Sequence, residues 1–268
     1  MRTLTIEKLN ILLVEPSSTQ QRIISEHLNE LGVTSIDIKS TGEEALTLMK
    51  QYHPDVVISA MHLPDMTGTD LLHNIRTIES LIDIPFVLIS SETNVRYLEP
   101  LRQAGVIAIL PKPYELKQLH HALISILDFI EPEPDHELED ASLDTLRILV
   151  VDDSVTSRRF IRRILTNLGI VNIQEAENGK EGLSLIESEY FDFILTDYNM
   201  PEMDGHDFTA HVRQSSNQPS IPIVMITSES NKSRLAAIEQ LGVSAICDKP
   251  FEADTIKILL KSMLLDEL

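Results

Sequence analysis

Asp152, Asp153, Asp197, Thr227 and Lys249 are three carboxylates, a hydroxyl and an ammonium, each standing at or just past the end of a short apolar run. Three carboxylates brought together repel one another, so without a cation at least one of them holds a proton. A divalent ion removes that conflict. An all-oxygen ligand set favours Mg²⁺ or Mn²⁺, and a magnesium site combines a few carboxylates with waters and a substrate phosphate. A carboxylate left free as nucleophile, beside a hydroxyl and an ammonium, suits phosphoryl transfer to an aspartate. The cation and the lysine would neutralise charge on the moving group, and in-line attack asks for positioning more than covalent assistance.

The elements that must position these groups are legible around them. Apolar runs at 147–152, 171–176, 191–196, 221–227 and 243–248 predict five short strands. Between the first two, Phe160, Ile161, Ile164, Leu165 and Leu168 recur at helical spacing, and Gly169 follows as a C-terminal cap. Ile256, Leu259, Leu260, Met263 and Leu264 form the apolar stripe of a last helix. Strands alternating with helices predict a parallel sheet covered on both faces. In such sheets ligands bind beyond the carboxyl ends of the strands, which is where all five polar groups fall.

The same layout occurs earlier in the chain. The steps from 60 to 197, from 90 to 227 and from 112 to 249 are each 137 positions, and Gly32/Gly169, Gly68/Gly205, Pro85/Pro222 and Pro113/Pro250 keep that offset. At the matching places the first copy has Glu15, Pro16, Ala60, Ser90 and Lys112. It therefore keeps a lysine and a hydroxyl and lacks the acceptor. Ser90 and Lys112 are expected to be inherited scaffold, and the first copy is expected to take no phosphate and hold no magnesium.

A chain of 268 residues with 43% apolar content suits two such domains, each burying its own core. Residues 131–145, EPEPDHELEDASLDT, carry two prolines and no Lys or Arg, and predict an extended acidic linker between a domain at 1–130 and one at 146–268. A formal net charge of −20 argues against binding nucleic acid or an anionic membrane surface. The one cysteine, Cys247, reads as a small buried hydrophobe and permits no internal disulfide, which fits a reducing cytoplasm. No window approaches a membrane helix, so the expectation is a cytoplasmic protein. The nine histidines show no ligand spacing; His120 and His121 are expected on a solvent face, and Met200 and Met203 in packing.

The segments VVDDSVTSRRFIRRIL, EAENGKEGL, DFILTDYNMPEMDG, IPIVMITSES and CDKPF together resemble a response-regulator receiver domain of the single-domain chemotaxis type. The resemblance implies an α/β architecture, two flavodoxin-like (βα)5 doubly wound domains, each with a five-stranded parallel sheet in the order 2-1-3-4-5. The first would be a degenerate pseudo-receiver and the second phosphorylatable. It implies Asp197 as phosphoacceptor and Thr227 and Lys249 as its hydroxyl and ammonium partners. Magnesium would be held by Asp153, Asp197 and the Asn199 carbonyl, with Asp152 reaching through water. Asn199 and Glu229 match the pair that tunes water access to the acyl phosphate. A cis Lys249–Pro250 bond is a further expectation. The implied partners are a sensor histidine kinase or phosphotransfer protein, a downstream protein target and, through the family's dimerisation face, a second copy.

Such a protein assists only its own phosphorylation and dephosphorylation, and is expected to be no enzyme otherwise. A rival reading makes it the regulatory N-terminal half of a longer enzyme, such as a cyclic-dinucleotide synthase or hydrolase. A third makes it a scaffold whose second copy is rarely phosphorylated. One position departs from the family pattern: Ile246 stands where a rotating aromatic usually reports phosphorylation. Another departure is Pro100, which aligns with Ala237 and predicts a loop over 92–99, a helix starting near Pro100, and a fixed docking surface carrying Val95, Tyr97 and Leu98.

Overall fold

Two compact units, Met1–Glu133 and Pro134–Leu268, divide the chain. The computed structural model describes residues 3–92, 95–131, 143–227, 238, 240–249, 255–256 and 258–259. The first unit runs β1 (Asn10–Val14), α1 (Ser18–Glu30), β2 (Ser35–Lys39), α2 (Gly42–Met49), β3 (Val56–Ala60), α3 (Gly68–Thr77), β4 (Phe86–Ser90), α4 (Val95–Gln103), β5 (Ala108–Pro111) and α5 (Leu116–Ile130). The second runs β6 (Arg147–Val151), α6 (Val155–Asn167), β7 (Asn172–Ala176), α7 (Gly179–Ser188), β8 (Phe193–Asp197), α8 (Gly205–Ser215), β9 (Ile223–Thr227) and β10 (Ala245–Asp248). Ile238, Gln240, Thr255, Ile256, Ile258 and Leu259 are helical.

All strand pairs are parallel, and the sheets are ordered β2-β1-β3-β4-β5 and β7-β6-β8-β9-β10. This is the expected 2-1-3-4-5 order in each unit. The central strands β3, β4, β8 and β9 are buried at every residue, as a sheet covered on both faces requires. The core of the first unit gathers Leu12, Val57, Leu72, Phe86 and Leu101; that of the second gathers Leu149, Ile194, Phe208, Val212 and Ile223. Every strand repeats at the same offset, and so do the 3-10 turns Ile6–Lys8 and Leu143–Thr145 that precede each first strand. Those turns bury Ile6 and Leu143, so the duplication reaches back into the segment read as linker.

Helix starts follow capping chemistry. Ser17, Thr41, Thr67, Ser154, Asn178 and Asp204 each accept a backbone N–H from the first turn of the helix they precede. Gly169 takes φ +93° after α6, and Ile170 N donates to Leu165 O at 3.0 Å, closing the expected C-terminal cap.

The expectation of a loop is overturned for residues 95–99. Helix α4 already begins at Val95 and carries Pro100 inside it. Proline removes only its own N–H, so at the sixth position of this nine-residue helix one intrahelical bond is lost. Burial of Leu98 and Leu101 against the sheet anchors the helix on both sides of the proline, while Ala104 N donates to Pro100 O at 3.0 Å. Each buried leucine contributes about 1.5–3 kcal/mol, enough together to offset a proline penalty of roughly 3 kcal/mol. Leu98 is thus core and no part of a docking surface, whereas Tyr97 is exposed.

Within the linker, residues 132–142 lie outside the described residues. So do Glu229, Pro250 and most of the helical segments expected around 232–238 and 256–264. In the first unit the matching Lys112–Pro113 bond is cis.

Candidate functional site

Register places the acidic groups. Val151 lies opposite Ala176 and Thr196, Asp197 opposite Ile226, and Asp248 opposite Thr227. Asp152, Asp197, Thr227 and Lys249 therefore emerge at adjacent carboxyl ends of β6, β8, β9 and β10. Asp152, Asp197, Thr227 and Lys249 are buried, while Asp153 is exposed at the mouth of the cleft. One carboxylate oxygen from each of Asp152, Asp153 and Asp197 lies within 4.8 Å of the others. The loop after β8 is held back by Gly205, where a Cβ would stand 2.2 Å from the Asp197 carbonyl oxygen. Asn199 is exposed in that loop, and Met200 and Met203 pack on the core as expected.

Lys249 Nζ donates to Asp152 Oδ2 at 2.8 Å and stands 3.3 Å from Asp197 Oδ2. Asp197 Oδ1 accepts Tyr198 N at 2.8 Å. Asp197 Oδ2 is buried, with the lysine ammonium facing it as an ion pair. Burial, offset in part by Lys249 and reinforced by Asp152, pushes the Asp197 carboxyl up to about 7. Burial and then Asp152 also raise Asp153. For Lys249, burial alone would lower the ammonium, but Asp152 and Asp197 together hold it above its ordinary value. Three carboxylates converge on one lysine, and the buried Asp197 Oδ2 meets that lysine at 3.3 Å. That donor set fits a hard divalent cation.

Two further residues complete the arrangement and were given no role from sequence. Ser157 Oγ donates to Asp152 Oδ2, and Ser154 N donates to Asp152 Oδ1 at 2.9 Å. Arg158 Nη1 donates to the Asp152 carbonyl at 2.7 Å, with Nε and Nη2 on Glu175 and Glu177 at 3.1 and 3.0 Å. The signal was present: Ser157 and Arg158 share the buried stripe of α6 with Ile161, Ile164 and Leu165. A serine or arginine on an apolar stripe needs a buried partner.

In the first unit the frame persists with other residues in it. Glu15 Oε2 accepts Lys112 Nζ at 3.1 Å, Glu15 Oε1 accepts Ser17 N at 3.0 Å, and Gln21 Nε2 donates to the Glu15 carbonyl at 2.7 Å, in the place of Arg158. With Ala60 in place of the acceptor, the Lys112 side chain is 26% exposed, against 2% for Lys249. Elsewhere, Asp204, His206 and Asp207 also bring ligand atoms within 4.8 Å, but Asp204 is engaged as the cap of α8, accepting Asp207 N at 2.8 Å. His120 and His121 are exposed on α5.

A family model described as the response regulator receiver domain matches residues 11–124 and again 148–261. Chemotaxis protein CheY-3 of Vibrio cholerae is 38% identical over 112 residues, 42% of this chain and 86% of that protein. Chemotaxis protein CheY of Pseudomonas aeruginosa is 38% identical over 112 residues, 42% of this chain and 90% of the relative. Among solved structures, chemotaxis protein CheY4 of Vibrio cholerae covers 44% of this chain and 98% of its own, at 30% identity and a TM-score of 0.42. Among the described residues no helix is long and apolar enough to cross a membrane.

Proposed function

The chain belongs to the response regulator receiver family in each of its two halves, and from that premise we propose that the second unit is phosphorylated on Asp197 and the first is a pseudo-receiver. The observation that carries this reading is the buried Asp197 carboxylate, its Oδ2 3.3 Å from Lys249, clustered with two further carboxylates at a sheet's carboxyl edge. That oxygen attacks phosphorus, an O–P bond forms, and the N–P bond to the donor's histidine breaks. The leaving imidazole keeps the electron pair and takes a proton from water. Lys249 neutralises the anionic oxygens, Thr227 closes on one of them through its hydroxyl, and Asp152 holds Lys249 in reach.

Asp153, Asp197 and the Asn199 carbonyl would hold Mg²⁺, with Asp152 behind a water. When bound, the ion supplies positive charge at the phosphoryl oxygens. The donor would be a sensor histidine kinase or phosphotransfer protein. Output would pass through altered binding to another protein in the cytoplasm, because a phosphoryl group adds charge that biases a two-state element.

Incubation with acetyl phosphate and Mg²⁺ should add one phosphoryl group to the protein, and Asp197→Asn should take none. Label retained in that variant, or labelling indifferent to chelation of Mg²⁺, contradicts the reading.

A further inference from the structure

Resting on that reading, the geometry points to Ser157 as a positioning residue: a neutral donor that keeps Asp152 hydrogen-bonded when Lys249 leaves it for the phosphoryl group. Asp152 Oδ2 accepts two donors, Lys249 Nζ at 2.8 Å and Ser157 Oγ. Lys249 also faces Asp197 Oδ2 at 3.3 Å, so a new anionic group on that oxygen draws the ammonium away from Asp152. A buried carboxylate deserted by its charge partner is costly unless another donor remains. Ser154 N holds Oδ1 at 2.9 Å, and on Oδ2, the oxygen that Lys249 leaves, the Ser157 hydroxyl is that donor. It carries no charge, so it does not compete with Lys249 for the phosphoryl oxygens.

The hydroxyl is also held in place. Ser157 N donates to the Ser154 cap at 3.2 Å, and the residue is 4% exposed at the start of α6. The first unit supplies an internal comparison. There Gln20 stands in the place of Ser157, and Glu15 takes its side-chain bonds from Ser17 N and Lys112 Nζ. With Ala60 at the acceptor position, no group draws Lys112 away, and Oε2 needs no donor besides the lysine. The buried hydroxyl accompanies the acceptor.

The test uses the full chain as wild type, Ser157→Ala, Ser157→Thr, Lys249→Gln and the Ser157→Ala/Lys249→Gln double variant. Acetyl phosphate labelling gives the maximal rate and the Mg²⁺ half-saturation point, and calorimetry with Mg²⁺ and fluoroberyllate gives the affinity for a non-reacting phosphoryl mimic. Ser157→Ala should lower the maximal rate and the mimic affinity about ten- to a hundredfold, as loss of one hydrogen bond to a charged group would. It should leave the Mg²⁺ half-saturation point within about twofold, Ser157→Thr should restore most of the loss, and in the Lys249→Gln background Ser157→Ala should have no further effect. Unchanged rate and mimic affinity in Ser157→Ala, with only a lower Tm or a shifted Mg²⁺ requirement, overturns the inference while leaving the proposed function standing. A wild type that takes neither label nor mimic overturns the proposed function and this inference with it.

Discussion

Asp197 is buried beside two further carboxylates with one lysine facing it, an arrangement that favours a proton or a cation. Asp197→Asn removes a charge that burial and Asp152 oppose and leaves Lys249 paired with Asp152, so above pH 7 and without divalent ions it should raise stability by about 1–3 kcal/mol. Thermal unfolding in a chelating buffer checks this. Added Mg²⁺ should narrow the gap, since a ligand that binds only the folded state stabilises it by mass action. A variant less stable than wild type in the chelating buffer would mean that the carboxylate is satisfied in a way the geometry does not reveal. Cys247 presents the opposite case, a group that burial silences. Its thiol is pushed up to about 11 by burial and then by the charge of Asp248, so at pH 8 the reactive thiolate is a minor species. Iodoacetamide should label it slowly in the native protein and at the ordinary thiol rate once the chain is unfolded. Equal rates in the two states would place the sulfur in water.

Elements show how far the sequence could be read and where reading stopped. Strand ends were legible because five polar residues interrupt buried runs, and a polar residue ending such a run has few structural reasons to be there. The clamp around Asp152 was not, because Ser157 and Arg158 look like helix-surface residues until the phase of the α6 stripe is tracked. Pro100 misled in the other direction, since a local penalty was weighed without the burial of Leu98 and Leu101 that outweighs it. That account predicts a relief: Pro100→Ala should stabilise the first unit by about 1–3 kcal/mol, and Leu101→Ala should cost about 2–5 kcal/mol, measured by denaturant unfolding. No gain in Pro100→Ala would mean that α4 is already bent to suit the ring. Two glycines separate steric from conformational demand. Gly169 has φ +93° and nothing within 4 Å of its missing Cβ, so Gly169→Ala should cost only the left-handed penalty of about 1–2 kcal/mol. Gly205→Ala drives a methyl into the Asp197 carbonyl and, on the proposed function, should lower both stability and labelling, because the backbone of Asp197 must move. Normal labelling in Gly205→Ala would show that the loop after β8 gives way instead.

At the scale of the whole molecule, one frame has been kept twice and its chemistry, on the proposed reading, once. The first unit preserves strand register, the lysine at the end of β5, the hydroxyl of Ser90 at the end of β4, and a side-chain bond to the carbonyl of residue 15. What it lacks is a nucleophile at Ala60 and a second carboxylate at Pro16, and what it has gained is a longer acid, Glu15, that pairs with Lys112. If the scaffold is intact, supplying those groups should restore the reaction without rebuilding anything else. The decisive protein is the full chain carrying Asp197→Asn, so that the second unit is silent, together with Glu15→Asp, Pro16→Asp and Ala60→Asp. Glu15→Asp shortens the acid that would otherwise crowd the new acceptor, and the other two changes restore the three-carboxylate cluster. Mg²⁺-dependent labelling by acetyl phosphate should reappear on residue 60, at a rate about 10- to 100-fold below that of the wild-type second unit. The deficit has a structural cause: Gln20 supplies no buried hydroxyl to the acid at position 15, and Lys112 is more open to water than Lys249. Adding Gln20→Ser should then recover part of it. A folded variant that binds Mg²⁺ yet takes no label would show that the first unit has lost more than its acids, and that its frame is preserved for another purpose.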